Sequence, residues 1–311
     1  MNSFRSVFTK SSRKFSTASI LRSSYTHVPR KTIEDIHQLY KSGEPISVVT
    51  SHDFLTSQIL ERAKVDINLI GDSLANTTLG YEDTNQLSLD EMLYHVKSVQ
   101  RGNSHSLLVA DMPFGSFECS IEQATQTAIK LVQQGKVQAV KIEGGDKDIL
   151  PTIKKIISVG IPVMGHVGLT PQKHNALGGY KLQGRNVDEA VRILQECLNL
   201  QEAGVFAIVL ECIPNKLAQA ITEKLSIPTI GIGAGPYTSG QVLVISDVLG
   251  MKDDHVPKFV QQYANFFNLG VEGIQQYQAD VKSRSFPNAD THGFKIKKEV
   301  FEQFKEKTKD I

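Results

Sequence analysis

From residue 45 onward, short apolar runs rich in Val and Ile alternate with longer segments whose apolar residues recur at helical spacing, and this rhythm constrains the fold more than any other feature. The runs are 46–50, 67–71, 107–111, 139–143, 162–166, 207–211, 229–233 and 242–245. Between them lie helix-period segments such as 89–101, 121–134, 148–159, 188–203 and 216–225. Continuous apolar strands separated by crossover helices require a parallel sheet, because each strand is buried on both faces. Eight such units in about 220 residues predict closure into a single (βα)8 barrel. A doubly wound open sheet is the alternative fold. Residues 28–44 read as a leading helix, and 257–285 with the charged tail 293–311 read as helices appended after the barrel.

The chain divides accordingly into residues 1–25, a catalytic domain over 26–292, and the tail 293–311. Residues 1–31 carry seven Lys or Arg and no acid, with Ser and scattered apolar residues between them. That is the composition of a mitochondrial transit peptide. The rest of the chain keeps 27 of the 34 basic residues against 33 acidic ones, so its body is mildly acidic and unsuited to nucleic-acid phosphate. No apolar run approaches the roughly 20 residues a bilayer span needs. The three cysteines, Cys119, Cys197 and Cys212, have no short paired spacing, which argues against a disulfide framework or a zinc site.

In a barrel of this class chemistry gathers at the carboxyl ends of the strands. Five polar residues close apolar runs there: Asp72 in LIGDS, Asp111 in VADMPF, Glu143 in VKIEGG, His166 in MGHVGLTP and Glu211 in VLECIP. If the barrel closes, four carboxylates converge on one pocket, and such a group is stable only when protons or a cation neutralise it. A divalent metal is implied, and hard oxygen donors without a Cys/His cluster point to magnesium. Strand alternation places Lys141 on the same face as Glu143 and turns Cys212 away from Glu211, as a packed thiol. GIGAGP at 231–236 is a poor match to a dinucleotide-binding turn, whereas LGGYKLQGR at 177–185 reads as an active-site lid.

Taken in order, GDSLANTTLGY, DMPFGS, KIEGG, GHVGLTPQ, GGYKLQGR, LECIP, IPTIGIGAG and PKF resemble ketopantoate hydroxymethyltransferase over residues 30–292. The resemblance implies a (βα)8 fold of the phosphoenolpyruvate/pyruvate type and transfer of a one-carbon unit from 5,10-methylenetetrahydrofolate to 3-methyl-2-oxobutanoate through a magnesium-stabilised enolate, the first committed step of pantothenate biosynthesis. It implies a homo-oligomer, often a decamer. Carried onto this sequence, the magnesium site falls on Asp72, Asp111 and Glu143. The keto acid is held by Asp72, Ser73, Asp111, Lys141 and His166, and the proton acceptor is Glu211. The chain departs from the family pattern at His52, usually Tyr, and at Pro236, usually Asn. The alternative activity is that of another magnesium-dependent enolate lyase, of the phosphoenolpyruvate mutase and isocitrate lyase group. No Lys-Lys-Cys-Gly-type catalytic loop like theirs is present.

Overall fold

A computed structural model describes residues 30–311; the expected leader over 1–25 lies outside the described residues. Helix α1 (Ile33–Ser42) precedes β1 (Ile46–Thr50), α2 (Phe54–Ala63) and β2 (Ile67–Ile70). A single-turn α3 (Leu74–Thr77) and α4 (Leu89–Gly102) lead to β3 (Leu107–Asp111), α5 (Ile121–Gly135), β4 (Ala139–Glu143) and α6 (Leu150–Ser158). Next come β5 (Val163–Gly168), short α7 (His174–Leu177), α8 (Val187–Ala203), β6 (Ala207–Glu211), α9 (Asn215–Lys224), β7 (Thr229–Ile232), β8 (Gly240–Leu243) and short α10 (Ile245–Val248). Helices α11 (Phe266–Ser283) and α12 (Lys298–Lys307) close the chain. The eight strands pair in sequence order, all parallel, and β8 pairs back onto β1 to close the barrel.

Strand alternation builds two cores. Outward residues such as Leu108, Ala110, Val140, Ile142, Val167, Ile208 and Leu210 pack under the surrounding helices. Inward residues from the lower halves of the strands, including Ile46, Leu107, Val109, Ala139 and Val209, meet Ile36 of α1, which plugs the amino-terminal mouth. The upper inward positions are therefore the ones left for polar groups, and Asp111, Lys141, Glu143, His166 and Glu211 occupy them.

Local signals set the helix boundaries. Helices α1, α2 and α4 each begin with a reciprocal capping box, on Thr32, Asp53 and Ser88. Each box satisfies two backbone donors that the first turn leaves open. The expected strands at 46–50, 107–111, 139–143 and 207–211 match residue for residue. Strand β8 lies two residues earlier than expected, because Val244 and Ile245 belong to the start of α10 and not to the ladder. Strand β5 runs two residues further than expected, since Gly168 pairs with Glu211. The carboxyl-terminal helix expected over 257–285 covers only Phe266–Ser283, and the leading helix only Ile33–Ser42.

Candidate active site

The parallel register decides which side chains meet. Asp111 of β3 stands opposite Lys141 of β4, and Glu143 stands opposite His166 of β5. Gly168 then brings β5 against Glu211 of β6. At Gly168, φ is +91°, and a Cβ would fall 2.3 Å from the Glu211 carbonyl oxygen, so only glycine lets β5 run this close beside the carboxyl-bearing strand end.

All seven residues singled out in the sequence line one cavity of about 560 Å³ at the carboxyl end of the barrel. Lys141 Nζ lies 3.1 Å from Asp111 Oδ1 and 3.2 Å from His166 Nδ1. Lysine has no acceptor, so His166 Nδ1 must accept from it and the ring proton resides on Nε2. That Nε2 faces Glu211 Oε2 at 3.0 Å, without the alignment of a hydrogen bond. The Asp72 backbone N–H donates to Asp111 Oδ2 at 3.0 Å. Ser73 Oγ would be 3.1 Å from a Cβ placed at Gly71, so glycine there keeps the floor of the cavity open.

Burial and charge set the protonation states. Burial pushes the Glu143 carboxyl well up, and Asp72 adds to this while Lys141 opposes it. Asp111 is likewise raised by burial, against the pull of Lys141. Burial would lower the Lys141 ammonium, but Asp111, Asp72 and Glu143 together raise it, so it stays charged. His166 is held well below its usual range by burial and by Lys141, hence neutral. Glu211 is pushed up to about 7 by burial, with Lys141 opposing. Its side chain is 17% exposed, against 3% for Asp111 and 2% for Glu143, making it the most accessible of the three.

Among the described residues, no group of three or more His, Cys, Asp or Glu side chains is spaced to hold a metal ion directly. Asp72, Asp111 and Glu143 therefore do not form a closed cage of three carboxylate ligands. What remains suits a water-rich magnesium site, in which one or two carboxylates bind directly. Glu143 Oε1 is a buried oxygen without a hydrogen-bond partner, Asp111 Oδ1 is buried against the Lys141 ammonium, and Asp72 abuts Asp111 through its own backbone.

Several residues not singled out in the sequence also shape the site. Tyr180 of the expected lid lines the cavity and stacks on His174 at 5.9 Å. Burial, followed by the charges of Asp83, Asp72, Glu211 and Glu143, raises its phenol. Thr50, Lys252 and His255 complete the rim, with Lys252 paired to Asp247 at 3.0 Å. Gln172 is buried between Asp72 and Glu143. Its only sequence signal is a polar residue after Pro171 in GHVGLTPQ. Cys212 is half-buried at φ +46°, with its thiol pushed up to about 12 by burial, and so is a poor nucleophile.

Comparison with known proteins adds the following. The family model described as ketopantoate hydroxymethyltransferase matches residues 30–289. The 3-methyl-2-oxobutanoate hydroxymethyltransferase of Emericella nidulans is 49% identical over 280 residues, 89% of this chain and 80% of that one. The protein of the same name from Saccharomyces cerevisiae is 46% identical over 306 residues, 96% of each chain. Among solved structures, a phosphonopyruvate hydrolase complex with oxalate and Mg++ superposes with a TM-score of 0.55 at 13% identity, covering 90% of this chain and 97% of that one. A 2,3-dimethylmalate lyase of the phosphoenolpyruvate mutase and isocitrate lyase superfamily gives 0.52 at 13% identity, covering 89% and 98%. At that identity the two structures are relatives in fold alone.

Proposed function

The chain belongs to the ketopantoate hydroxymethyltransferase family and converts 3-methyl-2-oxobutanoate to 2-dehydropantoate by hydroxymethyl transfer, and from that premise we propose how the cavity does it. Glu211 is the general base that removes the proton from carbon three of the keto acid. Its accessibility and its elevated pKa support this role, because a base titrating near working pH is the most effective one. The single observation that carries the reading is this carboxyl, facing Nε2 of a neutral His166 whose Nδ1 contacts Lys141 of the Asp111–Lys141 pair.

Carbon three loses its proton to Glu211 and bonds to the one-carbon unit of 5,10-methylenetetrahydrofolate; water supplies the hydroxyl and tetrahydrofolate leaves. Lys141, charged and buried, offers its ammonium to the negative end of the keto acid beside Asp72, Ser73 and Asp111. His166, neutral with its proton on Nε2, donates toward substrate or toward Glu211. Asp72 and Asp111 would hold magnesium, with Glu143 reaching it through water. When bound, the ion supplies Lewis-acid polarisation of the 2-oxo group, worth several kcal/mol where negative charge develops.

A homo-oligomer fits an exposed apolar surface. Helix α11 has no buried residue, although Phe266, Phe267, Leu269, Ile274 and Tyr277 lie on it. The outer faces of β1 and β8 leave Ser47 and Gln241 exposed, uncovered by any helix that follows β7 or β8. A second copy of the chain is the partner that these surfaces suit. Mitochondrial placement rests on the basic, acid-free leader. Among the described residues, no helix is long and apolar enough to cross a membrane.

The test is Glu211→Gln. Magnesium and keto-acid binding should persist, while deuterium exchange into carbon three, followed by proton NMR, should fall by about 10²-fold or more. Exchange at the wild-type rate would move the base to another residue.

A further inference from the structure

The turn Pro171–Lys173 follows β5 and immediately precedes α7 and the lid. Its central residue, Gln172, is almost completely buried. Three donated hydrogen bonds from this one residue reach the ends of three different strands. The backbone N–H donates to Glu143 Oε2 at 3.1 Å, at the end of β4. Side-chain Nε2 donates to Asp72 Oδ2 at 2.8 Å, beyond β2, and to the Met112 carbonyl at 3.0 Å, beyond β3. The amide oxygen, Oε1, is buried without a partner.

This pattern is asymmetric with respect to the acids. In Asp72 and in Glu143, one oxygen is fixed by Gln172 and the other is left free of it. Glu143 Oε1, the free one, is buried and unsatisfied. A carboxylate pinned through one oxygen loses its rotational freedom and presents the other in one direction. A buried amide would ordinarily satisfy both ends; here the side-chain donors go to Asp72 and the Met112 carbonyl, the backbone donor goes to Glu143, and the amide acceptor is left unpaired. A purely structural rivet has no reason to spend its donors in this way.

We propose that Gln172 is a positioning residue for the divalent-cation site, orienting the free oxygens of Asp72 and Glu143 so that the site is preformed before the ion arrives. The inference rests on the magnesium reading given above. Partners that orient ligand carboxylates typically change metal affinity 10- to 100-fold when removed.

The measurement is titration of Mg2+ alone, without keto acid, into wild type, Gln172→Met and Gln172→Asn, followed by calorimetry. Met keeps the length but removes both side-chain donors, so it releases Asp72 while the backbone N–H still holds Glu143; Asn keeps the amide but falls one methylene short of Asp72. Circular dichroism in chelator establishes that each variant is folded. Folded variants should bind Mg2+ about 10- to 100-fold more weakly than wild type, and raising Mg2+ should restore part of kcat with little change in KM for the keto acid. Wild-type binding retained within twofold in a folded variant would overturn the role of Gln172 and leave the metal reading intact. Absence of Mg2+ binding in the wild type would overturn both.

Discussion

Lys141→Met isolates the balance of charge in the cavity. The wild-type ammonium sits 3.1 Å from Asp111 Oδ1, both side chains almost fully buried, and it is the charge that opposes the rise of Asp111, Glu143 and Glu211. Removing one member of a buried pair leaves the other uncompensated and costs about 3–5 kcal/mol. An unfolding entropy of about 2.1 cal/mol/K per residue over the roughly 280 described residues converts this to a fall in Tm of about 5–9 °C. That fall should be greatest in chelator at neutral pH. It should shrink when Mg2+ is added, because a dication among the acids supplies the charge that the lysine no longer does. It should shrink also toward pH 5, where the carboxyls take up protons and need no counter-charge. Differential scanning calorimetry of both proteins in EDTA and in Mg2+, at pH 5 and 7.5, gives all four values. A loss of the same size in all four conditions would mean that the substituted thioether side chain merely packs badly, and the electrostatic account of the cavity would fail.

Asp111→Asn should weaken Mg2+ and keto-acid binding together by about tenfold or more, equivalent to about 1.4 kcal/mol each; normal magnesium dependence in a titration would remove Asp111 from the ligand set. The folded-state pKa of Glu211 is raised from 4.5 to about 7. Its stabilising contribution is therefore fully present below pH 4.5 and lost as pH rises through 7, on the order of 3 kcal/mol. In chelator, urea denaturation of Glu211→Gln should lack that part of the decline, whereas parallel profiles would refute the shift. Carbon-three exchange should slow about tenfold per pH unit below 7 as the base is protonated. On α11, Phe267→Glu with Ile274→Glu should convert the proposed homo-oligomer to smaller species by light scattering; an unchanged mass would show that this face is not an interface.

The barrel is legible in the sequence because two periodicities agree. In LLVAD and AVKIE the outward positions are uniformly apolar, while the inward ones turn from apolar to polar at the carboxyl end, which marks both the strand and the end that carries chemistry. Strand β8 is misplaced by the same pattern for the converse reason. Gly240 and Gln241 form ladder pairs with Ile46, Ser47, Ile230 and Gly231 but carry no apolar signal, whereas Val244 and Ile245 carry it and are not in the ladder. That region lacks a covering helix, so nothing selects for apolar outward residues there. The acids can be found one by one, each closing a run. Their arrangement cannot, since it depends on register: Asp111 beside Lys141 and Glu143 beside His166 are consequences of a fixed stagger between strands. Gln172 is illegible for a further reason. It lies in a short 3-10 turn, where neither the helical nor the strand period applies, and its role comes from three contacts 29, 60 and 100 residues away in the chain. The residues that supply charge to this site can thus be read from where strands stop, but those that aim the charge belong to the loops, and only closure of the barrel brings them into view.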